Sequence, residues 1–344
     1  MLPKVIEKKD LRNFAEALIA EGSVVAPVRR GRKYVFEEVE SFDEISLDYD
    51  TTILSPRKYF YPQEETVLKY RLGGEPGPEP VNEFKPRVIF GIHPCDIAAT
   101  WLLDEVFSED PADPNYLEKR KRAVLVGVNC CEPCDEYSFC RDMNTYNVDE
   151  GFDLMLTDLG DSYFVEVGTQ RGEALLVESA EYRDATAEDL KKRQGWQDEK
   201  EKNFVKRIPY DTKFLPEILE RSYDSLVWDA QARKCFSCGS CNLVCPTCYC
   251  FDIRDTLSAD AGSGERRRTW DSCQLKSFSE VAGGEVFREE RSARLRHRFF
   301  RKGKWLYERY GRPGCVGCGR CDRTCLVKIN SVEIYSQLAG EPVQ

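Results

Sequence analysis

Two cysteine runs constrain this chain more than anything else in it. The first is Cys235-x2-Cys238-x2-Cys241-x3-Cys245, followed by Pro246. The second is Cys315-x2-Cys318-x2-Cys321-x3-Cys325, followed by Leu326. Three thiolates at this spacing wrap one iron–sulfur cube in a tight loop. The fourth, three residues on, ligates the other cube in two-cluster ferredoxins. The runs therefore predict crossed sets: Cys235, Cys238, Cys241 and Cys325 on one [4Fe–4S] cluster, and Cys315, Cys318, Cys321 and Cys245 on the other. Structural zinc more often takes two separated C-x2-C pairs than four cysteines in one run. Leu326 in place of a second proline changes an exit turn and no ligand. Gly239 and Gly319 suit a close approach of backbone N–H groups to cluster sulfurs, and such donors tune the potential.

The rest of the composition agrees. Cysteine supplies 16 of 344 residues, and histidine only two, His93 and His297, so histidine-based shuttles and His-rich metal sites are nearly excluded. The net charge of −10 argues against nucleic acid as the main partner, because a chain that neutralises phosphates is expected to be basic. The first residues, MLPKVIEKKD, are interrupted by charge and do not read as a signal peptide. No apolar run approaches the length of a membrane span. A cytoplasmic, reducing setting is expected, where a cysteine-rich chain more often binds metal than forms disulfides. There is no GxGxxG fingerprint, P-loop or nucleophile–histidine pair.

The expected fold is a mixed α/β domain over 1–210 followed by an α-helical, ferredoxin-like two-cluster domain over 211–344. DLRNFAEALIAEG reads as an amphipathic helix stopped by Gly22, and SVVAPV as a strand. The Gly/Pro-rich stretch 73–86 reads as loop. RVIFGI (87–92), a helix over DIAATWLLDEVF and AVLVGV (123–128) form a βαβ unit, so the two strands should be parallel. In that helix Ile97, Trp101 and Val106 lie near one face with Ala98 and Leu102. DLMLTDLGDSYFVEVGT turns at Gly160-Asp161 as a hairpin. Residues 183–206 read as a solvated helix or linker. The stretch 215–234 reads as one helix with Ile218, Leu219, Tyr223, Leu226 and Val227 on one face. The spacer 246–314 looks helical, and its basic, aromatic part over 287–310 suits either docking of an acidic partner or a solvated helix that offsets cluster charge.

The parallel pair brings Cys95 and Cys130 together, because both lie just past strand carboxyl ends, the edge where open α/β sheets bind ligands. Cys134 and Cys140, from the loop after the second strand, can fold back over that edge. Four thiols there can hold a third [4Fe–4S] cluster, with Cys131 an alternative to Cys134. A zinc site, a reactive cysteine at a helix N-terminus and inert thiols stay open beside it. His93 is a candidate ligand or hydrogen-bond donor, or a plain strand-end histidine. Cys248, Cys250 and Cys273 are either neighbours of the clusters or buried structural thiols.

The motifs GIHPCDIAA, LVGVNC, CFSCGSCNLVCPTCYCFD, RRRTWDSCQLKSFSEVAGGEVFRE and CVGCGRCDRTC run in an order that resembles the iron–sulfur beta subunits of cytoplasmic NiFe sulfhydrogenases. The iron–sulfur subunits of anaerobic sulfite reductases are similar. The resemblance covers nearly the whole chain. One departure is Ser138-Phe139-Cys140 where the family often carries Cys-Phe-Cys. The resemblance implies an electron-transfer role, linking the catalytic subunits of a NiFe hydrogenase or, alternatively, of a sulfite reductase to a flavin, NAD(P)H-binding subunit. A cysteine-based redox sensor acting through Cys95 and a zinc-stabilised scaffold are the competing classes. The first predicts two clusters only; the second, a colourless protein.

Overall fold

The computed structural model describes residues 2–73, 79–81 and 84–340. Its strands are β1 (Lys4–Glu7), β2 (Ser23–Arg30), β3 (Lys33–Glu38), β4 (Glu64–Arg71), β5 (Glu79–Pro80), β6 (Arg87–Ile92), β7 (Ala123–Val128), β8 (Leu154–Asp158), β9 (Ser162–Val167), β10 (Arg183–Asp184), β11 (Phe251–Leu257) and β12 (Ser263–Trp270). Eight of them form one sheet in the order β10-β1-β9-β8-β7-β6-β2-β3. Its centre is parallel: β2 pairs β6, β6 pairs β7 and β7 pairs β8, each in parallel register. The β8–β9 hairpin is antiparallel, as its alternation predicts.

Both faces of this sheet are covered, which is why the central strands read as continuous apolar runs. On one face the helix Lys8–Glu21 buries Leu11, Phe14 and Leu18 against Phe90, Val126 and Leu156. On the other, the helix Pro94–Ser108 buries Ile97, Leu103 and Phe107 with Tyr61 and Tyr116. Trp101, Ala98 and Val106 are only half-buried. This helix is covered nearly all round, so a one-face reading does not describe it. His93 precedes it as N-cap, and Pro94 occupies a first-turn position where its missing N–H costs nothing.

The C-terminal part has a helical core in which Trp228, Leu295, Phe299, Phe300, Ile334 and Tyr335 pack together, joined by Phe139 and Met143 from the loop after β7. The expected helix over 215–234 is two, Leu215–Arg221 and Leu226–Lys234. Between them, Ser225 caps the second helix and the Trp228 indole donates to Ser222 O at 2.7 Å. The break leaves Tyr223 and Leu226 exposed, while Ile218 and Leu219 are buried.

The spacer 246–314 is not wholly helical. β11 and β12 form a hairpin, and β12 pairs antiparallel with β4, so chain from both sides of residue 210 shares a second sheet, β11-β12-β4-β5. Of the expected loop 73–86, residues 74–78, 82 and 83 lie outside the described residues, and Glu79–Pro80 adds a short strand to β4. The stretch 183–206 is a helix over Ala187–Asn203, but its Lys200 is fully buried, so it is not simply solvated. Among the described residues no helix is long and apolar enough to cross a membrane.

Candidate metal centre

Each cysteine run ends in a short helix that starts at a glycine in the left-handed region, Gly239 (φ +80°) before Ser240–Leu243 and Gly319 (φ +71°) before Arg320–Thr324. A Cβ at Gly319 would lie 2.7 Å from the Tyr137 backbone. Backbone conformation and close packing thus require glycine here. The two short helices pack against each other. This contact brings the runs together: Cys235, Cys238, Cys241, Cys321 and Cys325 line one cavity of about 40 Å³, with Phe236 and Leu326 beside it. Four of these five are the cysteines expected on one cluster; Cys321, expected on the other, borders the same cavity. Cys238 is exposed, so this cavity lies close to the surface.

The second set lies deeper. Cys245, Cys318 and Cys321 are buried. Cys245 is an electrostatic neighbour of Cys315, Cys318 and Cys321 in the second run, and of nearby Cys248. Burial pushes the Cys315 thiol up to about 12. Cys245 is shifted down instead, chiefly by the Cys248 thiol and then by Lys302 and Thr247, against the opposing effect of burial.

Cysteines also gather at the end of the βαβ unit. Cys95 and Cys140 pack with Val316, Phe204 and Cys318, and Cys130 packs against the same cluster. Cys134 is a close electrostatic neighbour of Cys130 and Cys140. Cys131 lies apart: its sulfur faces Asn203 Nδ2 at 3.9 Å, so the structure groups Cys134, and not Cys131, with the other three. Burial pushes the Cys95 thiol well up. That is opposite to the stabilised thiolate a reactive sensor cysteine needs. His93 is buried and stacked on Tyr49 at 3.9 Å, and burial, then Arg320 and Lys200, bring it down to about 3.

The N-terminal loop is fastened onto the second run. Phe139 N donates to Gly317 O at 2.7 Å and Thr145 Oγ1 to Val316 O at 2.6 Å. Arg320, next to Gly319, donates two hydrogen bonds of 2.7 Å to Asp96, next to Cys95, and both side chains are fully buried. The three remaining cysteines collect near Cys245 and Cys241. Cys248 contacts Cys245, and Cys250 contacts Cys273. Cys273 accepts from Asn242 Nδ2 at 3.0 Å.

Spacing alone did not disclose the cations. Arg294, Arg298 and Lys302 recur every fourth residue on the helix Arg291–Phe300 and the π turn Arg301–Trp305, and all three are buried. Their basic face is therefore neither a docking surface nor solvated. The π turn frees Lys302 O to accept from Gly314 N at 2.6 Å, beside Cys315. Lys302 Nζ donates to Thr247 Oγ1 at 2.5 Å, and Thr247 Oγ1 lies 3.3 Å from Cys245 Sγ. Arg298 Nε donates to Asn242 Oδ1 at 3.2 Å. The period of four was legible in the sequence; Lys200 left no comparable signal.

Among the described residues no three His, Cys, Asp or Glu side chains form a site for a single metal ion; cysteines spread around a shared cavity with buried cations close by suit, in their donor chemistry, the larger anionic iron–sulfur cluster. Similarity to known proteins points the same way. Residues 234–329 match the 4Fe-4S dicluster domain family. The class is thus an iron–sulfur protein with a 4Fe-4S dicluster domain. Over 326 residues the chain is 37% identical to sulfhydrogenase 2 subunit beta of Pyrococcus furiosus, covering 94% of this chain and 95% of that one. The chain belongs to the sulfhydrogenase beta-subunit family. No solved structure matches it.

Proposed function

We propose that this chain is the electron-transferring iron–sulfur subunit of a hydrogenase complex. Cys235, Cys238, Cys241 and Cys325 would hold one [4Fe–4S] cluster, and Cys245, Cys315, Cys318 and Cys321 the second. Cys95, Cys130, Cys134 and Cys140 would hold a third. The clusters supply one-electron exchange between NiFe catalytic subunits and a flavin, NAD(P)H-binding subunit. The chain's own residues hold the sites, shield the inner one from water and fix the charge around it. The observation that supports this reading is that Cys325 lines the cavity of the run at 235–241, which Cys321 also borders, while Cys245 neighbours Cys315, Cys318 and Cys321. The similarity to a sulfhydrogenase beta subunit favours the hydrogenase over the sulfite reductase alternative.

Anaerobic iron and sulfide quantitation tests it. About twelve irons per chain are expected for three clusters, and about eight would leave two. Zinc without iron would end the reading.

A further inference from the structure

Burying a cation without an anionic partner is costly, so such groups demand an explanation. Arg298 and Lys302 are buried, and among the described residues neither has a carboxylate within ion-pair distance. Their hydrogen-bond acceptors are neutral, Asn242 Oδ1 and Thr247 Oγ1. Lys200 is the same case: fully buried, it donates to Tyr146 O at 2.7 Å. Arg320 is the contrast, because its charge is matched by Asp96. The anion-forming neighbours of these cations are thiols: Arg298 lines the cavity of Cys235, Cys238, Cys241, Cys321 and Cys325, and Lys302 reaches Cys245 through Thr247, whereas at Lys200 burial outweighs the thiols. For Arg298 the thiols are Cys241, Cys321, Cys245 and Cys248. For Lys302 they are Cys245, Cys248 and Cys315, and for Lys200 chiefly Cys130 and Cys140.

We infer that Arg298, Lys302 and Lys200 are built-in counter-charges of the cysteine sites, and that their unequal placement sets the relative reduction potentials along the chain. This rests on the reading of the thiol sets as cluster sites. A fixed cation stabilises the reduced form, which carries one more negative charge, and so raises the potential. In a buried site salt screens this little. Arg298 faces cysteines of both crossed sets and acts on both. Lys302 faces only the inner set, with Cys245 and Cys315, and Lys200 only the N-terminal set.

The test is an EPR-monitored redox titration of the full chain, with iron content measured on each variant. Lys302→Met should move one of the crossed-set signals to lower potential, and Arg298→Gln should move both. Lys200→Met should leave both in place. Full iron with unmoved potentials in Lys302→Met and Arg298→Gln would overturn the inference. Iron loss in these variants supports it if Lys302→Arg and Arg298→Lys restore the iron, and overturns it if they do not, because packing and not charge would then be at work. A wild-type chain without iron would instead sink the underlying cluster reading.

Discussion

Asp96 and Arg320 show how much one residue pair decides. Asp96 follows Cys95 in the first turn of its helix, Arg320 follows Gly319 in the second run, and their ion pair is sealed from water. Removing one partner leaves a buried charge uncompensated, which costs about 3–5 kcal/mol. Asp96→Asn should lower stability by that order in anaerobic chemical denaturation, and a change below about 1 kcal/mol would show that the pair is not what joins the two parts. Gly319 is a second such position. Alanine there must hold φ near +71°, a conformation that costs an L-residue about 1–2 kcal/mol, and must also displace the Tyr137 backbone. Gly319→Ala should therefore lose iron from the inner set, measured as iron per chain. Gly239→Ala meets only Ser272 side-chain atoms at 3.0–3.1 Å and should lose less. The presence of both glycines was legible in the sequence; the reason for Gly319, a contact with a loop far away in the chain, was not.

At the scale of elements, the helical stretch from Arg291 through Tyr310 carries a pH signature. His297 is half-buried on it, and burial, then Arg288 and Arg301, hold its imidazole down to about 4 against an ordinary value of 6.5. The unfolded chain therefore takes up the proton first. This contribution to stability is unchanged above about pH 6.5 and is lost as the pH falls towards about 4. His297→Gln should flatten that loss. Equal falls in Tm for both proteins between about pH 7 and about pH 5 would refute the assignment. The βαβ unit, the β8–β9 hairpin and the first helix were legible because their apolar periods match one mode of burial each. The β11–β12 hairpin was not. Its strand residues are mostly exposed and charged, as in Arg254, Asp255, Arg266 and Arg267, so no apolar alternation marks it. It is a strand pair because β4 supplies an edge to join.

At the scale of the whole molecule, the cysteine sites sit where the N-terminal sheet edge, the helical core and the second run meet. Buried cations without a carboxylate partner, Arg298, Lys302 and Lys200 among them, lie there. Stripping iron with a chelator should therefore loosen this junction, because metal binding and folding are coupled where ligands and counter-charges converge. The expected readout is faster limited proteolysis in the loop 129–147 and around 314–325 after chelation, with the sheet core over β6–β7 still protected. Equal protection before and after would contradict it. The sequence alone determined the two cysteine runs, from which crossed thiol sets are proposed, and the parallel pair that brings Cys95 and Cys130 to one edge. Local spacing points to both: two residues between successive thiols set a loop, and strand–helix–strand order sets a direction. Only the tertiary structure decided that Cys134 and not Cys131 joins that edge, that the basic helix turns its cations inward, and that the hairpin of the spacer completes a sheet begun by β4. Those outcomes depend on which distant surfaces exclude water together, and no local period in the chain encodes that.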